Sequence, residues 1–148
     1  MRGFKVVSKY REKEINLPKR HSQGSAGYDF EAACDLVVKA HEFTPILIPT
    51  GIKAYMPDNE CLLLINRSGN PKNKGLVMPN GIGIVDSDYF NNTGNEGEIF
   101  FQVINLKSED AIIKKGDRIG QGIFTNFFKI AHDEAQGIRI GGFGSSGE

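Results

Sequence analysis

The stretch Gly51-Ile52-Lys53-Ala54-Tyr55-Met56-Pro57-Asp58-Asn59-Glu60-Cys61-Leu62-Leu63-Leu64-Ile65-Asn66 decides the fold. Ile52, Ala54 and Met56 alternate with Lys53 and Tyr55, the period of two that a half-buried strand requires. Pro57-Asp58-Asn59 is a turn cluster, and Cys61 to Ile65 is a short apolar run of the kind a fully buried strand shows. The same grammar continues outward. Phe4 to Val7, the proline-bounded Pro45 to Pro49, Ile82 to Val85, Ile99 to Ile104 and Arg118 to Phe124 all read as strands. Many short strands, with Gly, Pro, Asn and Asp clusters roughly every ten residues, predict an all-β sandwich or barrel. The window Asp29 to Val38 is ambiguous, because Ala32-Ala33-Cys34 suits a helix as well as a strand.

At 148 residues the chain is the size of one domain with one core. Lys plus Arg and Asp plus Glu are both 18, so the formal net charge is zero. That balance argues against broad nucleic-acid or membrane binding, while leaving room for a local basic pocket. Cys34 and Cys61 form no CxxC pair and read as two reduced, half-buried thiols, which suits a cytoplasmic protein. His21, His41 and His132 stand in no zinc-ligand spacing. No stretch approaches the roughly 20 apolar residues of a membrane span. The opening MRGFKVVSKYREKEI is too charged for a signal peptide.

The end of the chain differs in character. Gly141-Gly142-Phe143-Gly144-Ser145-Ser146-Gly147 cannot bury much apolar surface and is compatible with a plain disordered terminus. The single aromatic within it also suits a mobile segment that closes over a flat ligand. The expected organisation is a β-barrel over residues 1–136 and a Gly-rich tail over 137–148.

Five polar clusters interrupt the strands, and each alone is compatible with an ordinary turn or cap. They are Ala26-Gly27-Tyr28-Asp29-Phe30; Arg67-Ser68-Gly69 with Lys74-Gly75-Leu76; Asn80-Gly81-Ile82-Gly83-Ile84-Val85-Asp86-Ser87-Asp88-Tyr89; Gly116-Asp117-Arg118-Ile119-Gly120-Gln121; and the Gly141–Gly147 run. Ser68, for example, is placed to cap a short helix, and the same geometry offers backbone donors and a cation to a phosphate. Together, in this order and spacing, the five resemble the trimeric dUTP pyrophosphatase (dUTPase) family across almost the whole chain.

The resemblance implies a jelly-roll-like β-barrel subunit and a homotrimer. Its active sites lie between subunits, and the C-terminal tail is exchanged. It implies hydrolysis of dUTP to dUMP and pyrophosphate with Mg²⁺. Asp86 is then the general base that activates water, a role a positioned carboxylate can fill. Asn80 and the backbone from Gly83 through Ile84 and Val85 to Asp86 bind uracil, and Tyr89 packs under the deoxyribose, where it clashes with a 2′-hydroxyl. Arg67, Ser68, Gly69 and Gln121 contact phosphates, and Asp29 holds Mg²⁺ through water. Phe143 stacks on uracil, while Gly144, Ser145 and Ser146 hold the outer phosphates.

Three departures from the family pattern stand out. Phe90-Asn91-Asn92-Thr93-Gly94-Asn95 is inserted where the family turns tightly, and it offers a surface to sugar, subunit or protein partner. Arg139 stands one position closer to Phe143 than the usual tail arginine, which weakens its claim to a phosphate. Ile65-Asn66 carries no proline before Arg67. Two other readings compete. A dCTP deaminase shares the fold but needs a proton-shuttling glutamate where this chain has Gln102. A dUTP-gated protein-binding switch would use the 90–95 insertion in addition to hydrolysis.

Overall fold

The computed structural model describes residues 1–142. Phe143, Gly144, Ser145 and Ser146 lie outside the described residues. Eleven strands and one short helix follow one another: β1 Gly3–Val6, β2 Tyr28–Glu31, β3 Leu36–Val38, β4 Ile46–Pro49, β5 Ile52–Tyr55, β6 Glu60–Asn66, α1 Asn70–Lys74, β7 Leu76–Val77, β8 Gly83–Asp86, β9 Phe100–Asn105, β10 Ala111–Ile113 and β11 Arg118–Asn126. Every strand pairing is antiparallel. The strands form a β2-β11-β6-β8 sheet, a β4-β9-β7 sheet and the pairs β1-β5 and β10-β3. They enclose one core, as the jelly-roll-like expectation requires.

The core is filled by Phe30, Ile48, Leu62, Leu64, Ile99 and Phe101, all buried. Strand β9 shows the origin of this in the sequence. Phe101, Val103 and Asn105 point inward, alternating with half-buried Phe100, Gln102 and Ile104. Phe101 lies against β11 at Gly120, where a Cβ would stand 2.1 Å from its ring carbon Cε1. Any side chain at 120 would therefore push the two layers apart.

The ambiguous window resolves into β2, a bend and β3. A helix there would satisfy its N–H groups locally. Instead Ala32 N–H donates to Asp117 O at 2.8 Å and Ala33 N–H to Pro49 O at 2.9 Å. β7 and β10, of two and three residues, had no signal in the sequence because no period can be read from so few positions, and β3 lay within the ambiguous window. β8 begins at Gly83, one residue later than expected. Two local expectations are corrected. Gly69, not Ser68, is the N-cap of α1, and no side chain caps that helix. The thiols are not half-buried: Cys34 is exposed and Cys61 buried, both free. Among the described residues, no helix is long and apolar enough to cross a membrane.

The 90–95 insertion is tied to the barrel by charge. Lys53 Nζ donates to Asn91 Oδ1 at 2.6 Å and to Glu96 Oε1 at 2.5 Å, and the Ser8 N–H donates to Glu96 Oε2 at 3.0 Å. The hydrogen bond from Lys53, then that from Ser8, lowers the Glu96 carboxyl from its ordinary 4.5 to about 2. A carboxylate depressed in the folded state adds stability that is complete above its unfolded value and lost as pH falls toward the folded one. Glu96→Gln is therefore expected to lose less stability than the unsubstituted chain between about pH 5 and pH 2. Urea midpoints across that window check this, and parallel curves would show that the tie carries no stability.

Candidate active site

Strand β8 is the edge of its sheet, hydrogen-bonded to β6 on one side only. An edge strand presents a row of backbone N–H and C=O groups to whatever lies beside it. Beside β8 is a cavity of about 180 Å³ lined by Leu64, Asn80, Gly83, Ile84, Val85, Asp86, Tyr89, Gln102, Arg139 and Gly142. The Asn80–Ile82 turn that leads into β8 is closed by the Gly81 N–H donating to Met78 O at 3.0 Å. Polar backbone on one wall, an aromatic face on another and a carboxylate at the rim suit a planar, hydrogen-bonding heterocycle joined to something that reacts at Asp86.

Tyr89 is buried, and its hydroxyl donates to Glu98 O at 2.6 Å. Burial, more than any other cause, pushes that phenol above its ordinary value. Asp86 keeps 47% of its side chain exposed at the end of β8. Arg139 bridges Asp86 and Asp88: its Nη2 lies 2.5 Å from Asp86 Oδ2 and its Nε 2.7 Å from Asp88 Oδ1. The segment that carries Arg139 reaches this chain's own cavity. Gly142 lies on Tyr89, where an added Cβ would stand 2.3 Å from ring carbon Cε2.

The remaining expected residues gather elsewhere. Gln121 and Asp29 are cross-strand partners on β11 and β2, and Gln121 Nε2 donates to Asn66 O at 3.3 Å. Asp29 Oδ2 accepts from Arg118 Nη1 at 3.3 Å and lies 3.1 Å from His21 Nε2. Arg67 donates to Arg118 O at 3.3 Å, next to Ser68 and Gly69 before α1. This basic cluster sits at the Asn66 end of β6, whereas Asp86 pairs with Cys61 at the other end. Five residue steps along the strand separate the two ends, about 17 Å at the usual rise. One chain therefore brings Asn80, Gly83 to Asp86, Tyr89 and Arg139 together. It keeps Asp29, Arg67 to Gly69 and Gln121 apart from them.

Sequence reasoning missed four residues. Arg118 and Asp88 stand inside quoted motifs without an assigned part. Gln102 had been weighed only as a missing glutamate, and it lines the cavity. His21 carried no signal, and reaches Asp29 because residue 19 bridges residue 29 across a turn. Among the described residues, no group of three or more His, Cys, Asp or Glu side chains is placed to hold a metal ion.

The dUTPase family model matches residues 13–147. The chain belongs to the dUTPase family. A deoxyuridine 5′-triphosphate nucleotidohydrolase of Lactococcus lactis subsp. lactis (strain IL1403) is 48% identical over 149 residues, covering 99% of this chain and 98% of the relative. The crystal structure of dUTPase from Streptococcus mutans superposes with a TM-score of 0.82 at 41% identity, over 87% of this chain and 98% of that one. A mutant dUTPase from phage phi11 of S. aureus, described with a structural Mg(II) ion, shares the fold at 17% identity. Its TM-score is 0.72, over 93% of this chain and 97% of that one.

The contact between the C-terminal segment and Tyr89 is directly testable. Gly142→Val is expected to lift residues 139–142 off the ring and raise their amide exchange, read by mass spectrometry, while β6 and β11 stay protected. Unchanged exchange in 139–142 would mean that Gly142 does not need its closeness to Tyr89.

Proposed function

We propose that this chain hydrolyses dUTP to dUMP and pyrophosphate with Mg²⁺, as a homotrimer whose active sites lie between subunits. The observation that carries this reading is the exposed edge of β8 running from the Asn80 turn to Asp86 above the buried ring of Tyr89. Uracil offers an N3 donor between two acceptors. Fixed backbone groups from Gly83 through Ile84 and Val85, with Asn80, can pair with that pattern. Cytosine reverses two of the three groups and leaves partners unpaired, which such sites reject by about 10⁴ or more.

Asp86 takes a proton from water as the water oxygen attacks the α-phosphorus and pyrophosphate leaves. Its carboxylate is exposed at the end of β8 and open to water. A polyphosphate entering beside Arg139 competes with the carboxylates for the guanidinium, so Arg139 can pass from Asp86 and Asp88 to phosphate as the substrate seats. Arg67, Ser68, Gly69 and Gln121 supply donors to the phosphates, with Arg118 next to them. Asp29 would meet Mg²⁺ through water: its Oδ2 already faces Arg118 and His21, no carboxylate cage surrounds it among the described residues, and magnesium keeps several waters and binds substrate phosphates. The ion, when bound, offsets polyphosphate charge. Phe143 stacks on uracil, and Gly144, Ser145 and Ser146 hold the outer phosphates as the tail of residues 137–148 excludes water from the barrel of residues 1–136.

Two observations support the trimer. The basic cluster and Asp86 stand at opposite ends of β6, so a second subunit is needed to bring them to one substrate. Phe128, Ile130 and Ile138 are 95%, 81% and 91% exposed in the arm beyond β11, and apolar surface of that kind is kept when another chain covers it. In this chain residues 139–142 lie on its own cavity, so exchange of the tail would carry them to the equivalent place on a neighbouring subunit. The free thiols suit a reducing cytoplasm. Gln102 lines the cavity where a deaminase needs a glutamate, and an amide cannot shuttle protons, so dCTP should yield no uracil nucleotide.

Pyrophosphate release from dUTP, compared with dTTP, dCTP and UTP, tests the assignment, and comparable use of dCTP would overturn it. Asp86→Asn should bind dUTP within a few-fold of normal while turnover falls by roughly two to four orders of magnitude. Equal loss of both would make Asp86 structural. Light scattering should report a trimer, and a stable, active monomer would remove the shared site. Deleting residues 141–148 should leave a folded trimer with almost no turnover, and full turnover would leave the tail without a part in catalysis.

A further inference from the structure

We propose that Asn95, in the 90–95 insertion, is a positioning residue that sets discrimination between deoxyribose and ribose by holding the hydroxyl of Tyr89. The inference rests on the reading of Tyr89 as the sugar wall. Asn95 Nδ2 donates to Tyr89 Oη at 2.6 Å, while that hydroxyl donates its own proton to Glu98 O. The phenol oxygen is thus fixed from two directions, one from Glu98 shortly before β9 and one from Asn95 in the insertion. A hydroxyl held by one bond can swing as the ring tilts away from a 2′-hydroxyl, whereas one held from two directions cannot follow that tilt without lengthening or breaking a bond.

Asn95 is itself held. Its Oδ1 accepts from the Gly97 N–H at 3.1 Å and from Asn92 Nδ2 at 2.9 Å. Asn92 Nδ2 also donates to Tyr89 O at 2.8 Å, and its Oδ1 accepts from the N–H groups of Gly94 and Asn95 at 2.9 and 3.1 Å. The two amides close a network around both ends of Tyr89, and Asn92 is buried within it. Gly97 completes the path. Its φ is +84°, and a Cβ there would stand 2.6 Å from Tyr89 O, so the insertion can fold back over Tyr89 only with glycine at this position. The 90–95 segment therefore gives the Tyr89 hydroxyl a hydrogen bond beside that to Glu98.

dUTP and UTP differ only at the 2′ position, so the ratio of their kcat/KM values reads the sugar wall and cancels general effects on folding or phosphate binding. Asn95→Ala in the full chain is expected to lower the dUTP/UTP ratio about three- to tenfold, the size of one net hydrogen bond. Most of the change should come from better use of UTP. Tyr89→Phe keeps the ring and removes the hydroxyl, and should lower the ratio similarly. Combining the two should lower it no further, because Asn95 then has no hydroxyl to hold. An unchanged ratio in Asn95→Ala, or full additivity in the double variant, overturns the proposal. A lower thermal midpoint with the ratio intact also overturns it, since that is the mark of a purely structural residue. If Asn95→Ala does not fold, Tyr89→Phe decides alone, and an unchanged ratio overturns it. Failure of the unsubstituted chain to hydrolyse dUTP would instead sink the functional reading beneath it.

Discussion

The ladder between β6 and β11 is the constraint on which the remaining structure depends. It runs without a break from Gly120 opposite Asn66 to Asn126 opposite Glu60. Because side chains alternate across a sheet, this register decides which residues of both strands face the core, and a slip of one position would turn Leu62 and Leu64 outward. The same ladder sets the two ends of the site. β2 joins β11 at the Asn66 end and brings Asp29 beside Gln121, while β8 joins β6 and carries Asp86 to the Cys61 end. Chemistry that needs both ends is thereby divided between subunits in the proposed assembly.

Charge is balanced around this frame. With equal numbers of cations and anions the chain has no overall field to draw a polyanion. Instead several cations are paired locally: Arg139 with Asp86 and Asp88, Arg118 with Asp29, Lys53 with Glu96. Exposed pairs of this kind contribute little to stability, so exchanging a carboxylate for a phosphate costs the fold little. Lys53 and Glu96 differ in this respect. Lys53 is buried, and its pairing fixes the base of the insertion rather than waiting for a ligand.

Much of the site was legible before the fold. Asp86, Asn80, Gly83 to Val85 and Tyr89 lie within one continuous motif, and the structure keeps them around one cavity. Residues whose part depends on contacts across the chain were not legible. Gln102 stood out only against a deaminase's glutamate, and its place in the cavity comes from the pairing of β9, while His21 approaches Asp29 through a single bridge. Arg139, expected on a phosphate, lies on the carboxylates of Asp86 and Asp88 across the chain. The insertion was visible as extra residues, but nothing in Asn92-Thr93-Gly94-Asn95 announces that two amides will turn back onto Tyr89.

The sequence by itself determined that the chain is all-β, that one core suffices and that five ordered motifs mark the dUTPase family. Alternation and turn chemistry are local properties, written within a few residues of each other. Tertiary structure alone decided that β8 is an edge, that the basic cluster and Asp86 stand at opposite ends of β6, and that Asn95 holds Tyr89. These depend on hydrogen bonds and ring contacts between segments far apart in the chain, or on the path of an irregular loop, and no local period encodes either.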